Sequence, residues 1–180
     1  MSEQTFTREY SESAELRAPP EQVFSFLDDF EHLGAHMTRP NRMMAGSSMR
    51  YEFDAARGRA VGAGVRLIGS FLGQDLEIEE FIDDREPPLR KSWRTVGAPR
   101  MLVLAAYHMG FAIERAGAGS RLTVFIDYAL PASGAGRRIL GRLLGGVYAR
   151  WCVRQVLAAA VDQFNEPIPK ALGAPQAGKL

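Results

Sequence analysis

The chain has 180 residues, a formal net charge of +1, 46% hydrophobic and 24% charged residues. That length fits one domain able to fold without disulfide or metal, and the balanced charge lacks the basic excess of a nucleic-acid binder. Cys152 is the single cysteine, which excludes an internal disulfide and fits a reducing compartment. The first thirty residues carry acids and no apolar leader run, so a cytoplasmic protein is expected. The longest uncharged apolar stretch, 101–113, is too short to span a bilayer, so no stable membrane insertion is expected.

Residues 5–17 read as a first strand. Pro19, Pro20 and Glu21 then open a helix, where proline costs no hydrogen bond and the acid meets the positive end of the helix dipole. Val23, Phe24, Leu27 and Phe30 give that helix one apolar face. A second, short helical piece is expected over about 31–37, and a loop over 38–48. The loop region holds Met37, Met43 and Met44, adaptable side chains that suit either a gate or packing on the first helix.

From Ser48 the period changes to two. Met49, Tyr51 and Phe53 alternate with Arg50, Glu52 and Asp54. After a turn at 55–64, Val65, Leu67, Gly69 and Phe71 form one face of the next strand. Leu76 and Ile78 alternate with Glu77 and Glu79. A strand over about 89–96 sets Lys91, Trp93 and Thr95 opposite Arg90, Ser92 and Arg94. Two further strands are predicted over about 101–115 and 120–130, joined by the glycine turn in "RAGAGSR". A long helix over about 134–165 follows, with Leu140, Leu144, Val147, Trp151, Ala158 and Val161 as its expected buried stripe. Residues 166–180 hold three prolines and two glycines and read as a disordered tail. The domain is thus 1–165.

Strand, two helices, six strands and a long helix make an α+β domain. Short turns between consecutive strands imply an antiparallel meander with one face to cover. The expected architecture is a curved sheet of about seven strands wrapped around the long C-terminal helix, with space for a ligand between them.

Three stretches resemble the START-like, or SRPBCC, superfamily with the helix-grip fold, especially its polyketide cyclase/dehydrase and lipid-transport branch. "ELRAPPEQVFSFLDDFEHL" is similar to the first strand and its Pro-led helix. "GVRLIGSFLGQDLEIEEFIDDREPPLRKSWR" is similar to the middle hairpins, with an acidic strand, a Pro-Pro turn and a Trp-bearing strand. "GRRILGRLLGGVYARWCVRQVLAAAVDQF" is similar to the terminal helix. The likeness covers residues 5–165. It implies the helix-grip fold and a ligand cavity, but the superfamily shares no catalytic motif, so chemistry rests on this chain's own residues.

Alternation assigns to the cavity Met49, Tyr51, Phe53, Leu67, Phe71, Ile78, Trp93, Tyr107, Met109, Phe111, Val124 and Tyr128. Helical phase adds Val147 and Trp151. Buried Tyr and Trp need polar partners, which a wet, aromatic-lined cavity supplies more easily than a dry core. Most carboxylates of 75–94 belong to the solvated face of a hairpin. Glu80 is the exception. Strict alternation turns it inward, whereas a bulge near 80 turns it out. Arg154 interrupts one apolar stripe of the long helix and Arg150 another, so one of them is expected to reach the cavity and pair with Glu80 or an anionic ligand group.

Other motifs carry less. His32 and His36 follow Asp28 at helical spacing, but "HLGAH" lacks the glutamate of the zinc-protease motif. His108 is expected on the outer sheet face or in a structural role. The glycine runs lack the third glycine of GxGxxG and any Walker lysine, and Cys152 sits in an apolar helix as an inert thiol. No metal or cofactor is expected. The sequence points to binding of a hydrophobic or amphipathic small molecule, namely a lipid, polyketide or aromatic compound. The alternatives are a polyketide cyclase or aromatase using the same cavity, and a ligand-free interaction domain. Strand 101–113 would then be the contact surface, and its apolar outer face would permit a homodimer.

Overall fold

A computed structural model describes residues 5–33, 49–71 and 74–165. Seven antiparallel strands form one sheet: β1 (Arg8–Leu16), β2 (Met49–Phe53), β3 (Gly64–Phe71), β4 (Gln74–Glu86), β5 (Arg90–Arg100), β6 (Ala106–Ala116) and β7 (Gly119–Ala129). Their spatial order is β1-β7-β6-β5-β4-β3-β2, so β2 through β7 form a meander and the first strand pairs with the last. Helices α1 (Pro20–Leu27) and α2 (Phe30–Leu33) lie between β1 and β2, and α3 (Ala135–Asn165) ends the domain. This is the expected α+β arrangement. The core lies between the sheet and the helices.

Helix α1 buries Val23, Phe24 and Leu27 as the apolar periodicity predicts, with Phe30 buried at the start of α2. Its C-terminal end is fixed to the sheet by a buried ionic clamp. The Lys91 ammonium, fully withdrawn from solvent, donates to the Asp28 carbonyl at 2.8 Å and to its carboxylate at 2.9 Å. Arg85 donates to both oxygens of the same carboxylate at 3.0 and 2.8 Å. A cation at a helix C-terminus is favoured by the helix dipole. Burial alone would raise the Asp28 pKa, but the hydrogen bonds from Arg85 and Lys91 outweigh it and hold the carboxyl below its ordinary range.

Two expectations are corrected. Residues 101–105 are not strand; β6 begins at Ala106. That run is apolar because Met101 and Leu104 are buried where the start of α3 crosses the chain, and Arg137 of α3 donates to the Met101 carbonyl at 2.8 Å. The phase of α3 also differs. Its buried face is Gly141, Gly145, Ala149, Cys152, Val153, Val156, Leu157 and Ala160, while Leu144 and Val147 are 45% and 53% exposed. The cause is close approach. A Cβ on Gly141 would lie 2.7 Å from the Pro131 ring and 3.1 Å from the Val103 carbonyl, and one on Gly145 would lie 2.5 Å from Leu130. Only small residues fit that contact, so the bulky aliphatic stripe turns away.

Candidate functional site

Strand alternation carries Ile78, Glu80 and Ile82 of β4 to the concave face, where all three are buried. The register of β4 against β5 shifts between Glu77 and Glu79 and again between Ile82 and Asp84, while Glu80 pairs regularly with Thr95. The irregularities therefore flank Glu80 and leave it inward. On the outer face, Arg66 pairs with Glu77, and Arg90 with Asp84 at 2.6 Å and Glu86 at 2.8 Å. The carboxylates flanking the Pro-Pro turn thus form a solvated hairpin face, and Glu80 alone of the acidic strand enters the interior.

Tyr107 meets Glu80 there. The paired β5–β6 ladder ends at Arg94 and His108. Beyond it the Thr95 hydroxyl accepts from the Tyr107 N–H at 3.1 Å and donates to its carbonyl at 3.3 Å. This side-chain bridge sets the Tyr107 backbone, and the phenol then donates to Glu80 Oε1. The Trp93 indole shares the cavity wall and favours the ionised form of Glu80. Burial pushes the Glu80 carboxyl up to about 7, against the opposing pull of Tyr107, Trp93 and the Lys91 charge. Burial, with Glu80 nearby, likewise pushes the Tyr107 and Tyr51 phenols upward, so both remain neutral donors.

Around this pair lies a small, narrow cavity of about 40 Å³, room for a few water molecules and well below the roughly 300–1,000 Å³ span of small-molecule sites, so a ligand of that size enters only if the walls part. Tyr51, Leu67, Ile78, Glu80, Trp93, Tyr107 and Met109 line it from the sheet, each at a position that sequence alternation assigns to the cavity. The wall also includes Phe30 and Leu33 of α2, Leu104, Ile126, and Tyr148, Cys152 and Val156 of α3. These were not predicted. The helical members follow from the corrected phase of α3, whose signal was the spacing of Gly141, Gly145 and Ala149. Burial pushes the Cys152 thiol up to about 12, so it presents a neutral, weakly polar wall.

The other expected residues lie elsewhere. Phe53 is half-buried and stacks on Tyr51 at 5.8 Å between ring centroids. Phe111 packs edge-on against Phe24 beneath α1, and Tyr128 is buried outside the cavity wall. Val147 faces outward and Trp151 is half-buried, 5.7 Å from Tyr148. Met49 and Val124 are buried core. Neither arginine of α3 reaches the cavity, contrary to expectation. Arg154 is 61% exposed and donates to Glu12 of β1 at 2.9 Å, and Arg150 is exposed over the Tyr10 ring. Both follow the outward apolar stripe, where a guanidinium keeps its hydration.

Phe71 lies in β3 with its side chain outside the described residues, as do the His32 side chain, His36 and the methionines 37, 43 and 44. His108 lies on the outer sheet face, 3.3 Å from Asp127 and 3.4 Å from Asp83. Among the described residues no group of three metal-ligating side chains converges.

The sequence matches no protein-family model and no curated protein. Solved structures do match. The Zhui aromatase/cyclase from Streptomyces sp. R1128 superposes with TM-score 0.63 at 16% identity, over 93% of this chain and 99% of that one. Norcoclaurine synthase from Thalictrum flavum gives 0.60 at 11%, over 89% and 87%. Ara h 8.0201 gives 0.54 at 11%, over 86% and 98%. The chain shares the helix-grip fold of these structures. At these identities the likeness is one of architecture and carries no function with it. No described helix is long and apolar enough to cross a membrane.

Proposed function

We propose that this protein binds a hydrophobic or amphipathic small molecule, of the lipid, polyketide or aromatic class, between the sheet and α3. One observation carries the reading: an aliphatic and aromatic cavity holds a single buried carboxyl, already hydrogen-bonded to a phenol. Apolar walls supply non-directional affinity by burying ligand surface, roughly 25 cal/mol per Å². The Glu80–Tyr107 pair supplies direction, since a carboxyl titrating near 7 and a neutral phenol offer both donor and acceptor to one polar ligand group. A cytoplasmic setting belongs to the proposal, supported by the lone buried thiol. The test is fluorescence titration with an apolar aromatic probe such as 1-anilinonaphthalene-8-sulfonate, comparing wild type with Cys152→Phe, which fills the cavity from the helix side. Saturable binding lost in the folded variant supports the reading; equal binding by both refutes it.

The Glu80–Tyr107 pair also favours a second reading, an enzyme of the cyclase or aromatase type. A carboxyl poised near neutrality in a water-poor site is suited to proton transfer, and a phenol donor beside it is suited to an oxygen that gains negative charge. Incubation with a polyketide-like β-dicarbonyl compound separates the readings: unchanged ligand on extraction leaves binding alone, and a converted product lost in Glu80→Gln establishes catalysis.

A further inference from the structure

The first half of α3 carries a ridge that none of the described residues covers. Ile139, Leu143 and Val147 recur every four residues and are 61%, 69% and 53% exposed, with Leu144 beside them. The exposed members are aliphatic, and the aromatic that follows at the same spacing, Trp151, is half-buried against Tyr148 and not presented as the exposed anchor typical of protein–protein hot spots. The helix that carries the ridge is itself of one sign over most of its length. From Ala135 to Val161 the helix contains Arg137, Arg138, Arg142, Arg150 and Arg154 and no carboxylate, although the whole chain is nearly neutral. Arg138 and Arg142 are exposed beside the ridge. Arg150 and Arg154 continue the outward face toward β1, one over Tyr10 and the other on Glu12.

We propose that this ridge seats the protein on an anionic lipid surface, with the aliphatic side chains in the headgroup boundary and the arginines on lipid phosphates. The charge pattern selects this occupant over a second copy of the chain. Pairing two α3 ridges antiparallel about a two-fold axis near Leu143 would set the Arg142 residues of the two copies side by side and Arg138 of each level with Arg150 of the other, with no carboxylate on either ridge to neutralise them. An anionic bilayer supplies the missing sign. An aliphatic stripe flanked by arginines is the pattern of a helix that lies in the membrane interface without crossing it. The inference concerns the outer surface of α3 and stands independently of what fills the cavity.

The test is co-sedimentation of the full chain with vesicles of phosphatidylcholine, alone and mixed with phosphatidylglycerol. The protein is expected to partition onto the mixed vesicles and not onto the neutral ones, less so as salt rises. Each of Arg138→Gln and Arg142→Gln should weaken partitioning about fivefold, and the double variant Leu143→Ser, Val147→Ser about tenfold or more. All four side chains are exposed, so circular dichroism and the thermal midpoint should not move. Absence of partitioning overturns the proposal, as does partitioning that survives the ridge substitutions or occurs equally on neutral vesicles. Equal binding to polyglutamate assigns the ridge to an acidic protein, and a dimer by light scattering that the serine variant dissolves assigns it to a second copy. Either result overturns the lipid assignment.

Discussion

Replacing Glu80 by glutamine should make the protein relatively more stable as the pH rises. In the native state burial raises this carboxyl from 4.5 to about 7. The folded protein therefore prefers the protonated form, and the stability this confers is fully present below the unfolded pKa of about 4.5 and lost as pH rises through the folded value. A difference of about 2.5 units corresponds to about 3 kcal/mol, the cost of ionising Glu80 in place. Glutamine copies the protonated carboxyl in shape and can still accept from Tyr107, so the variant avoids that cost. Carboxyls held low in the fold, such as Asp28 and Glu77, act at lower pH and cancel in the comparison. Urea unfolding of wild type and Glu80→Gln from about pH 4.5 to about pH 8 is the assay. The difference in unfolding free energy should swing by about 3 kcal/mol in favour of the variant. Parallel curves across this range would refute the buried, neutral Glu80.

Tyr107→Phe removes a hydrogen bond that favours the ionised Glu80, so the same titration should move to higher pH; a downward move, read by the same unfolding series, contradicts the geometry. Asp28→Asn leaves the Lys91 ammonium buried without its counter-charge and should destabilise by about 3 kcal/mol, measured as a lower urea midpoint at unchanged slope. Stability from Asp28 is present above its unfolded pKa of 3.8 and lost as pH falls through its lowered folded value, so wild type and variant should converge in strong acid. Arg154→Met should leave both stability and probe binding unchanged, because Arg154 is exposed on α3 and paired with Glu12 of β1 at the surface; weaker probe binding would return this arginine to the cavity.

Legibility in the sequence divided by element type. The strands were readable because their period of two ties each side chain to a face, and Tyr51, Leu67, Ile78, Trp93, Tyr107 and Met109 line the cavity as alternation requires. Glu80 stood between two readings because alternation and a possible bulge gave opposite orientations, and only the register of β4 against β5 decides them. The long helix was read in the wrong phase. Leu140, Leu144 and Val147 look like a core stripe, and glycine carries no hydrophobic signal, so the tight contact made through Gly141 and Gly145 was invisible to a hydrophobicity pattern. That one error removed Tyr148, Cys152 and Val156 from the expected site and placed Arg154 in it. The apolar run at 101–105 misled for a related reason: burial beneath a helix and burial in a sheet select the same side chains.

The central claim is that the space around Glu80 and Tyr107 holds an apolar small molecule. Native mass spectrometry of gently purified protein, followed by solvent extraction, tests it most directly. The account predicts a reproducible excess mass that extracts as an apolar or amphipathic compound and is missing from the folded Cys152→Phe variant. An excess mass carried equally by wild type and Cys152→Phe would place the molecule elsewhere and contradict the account.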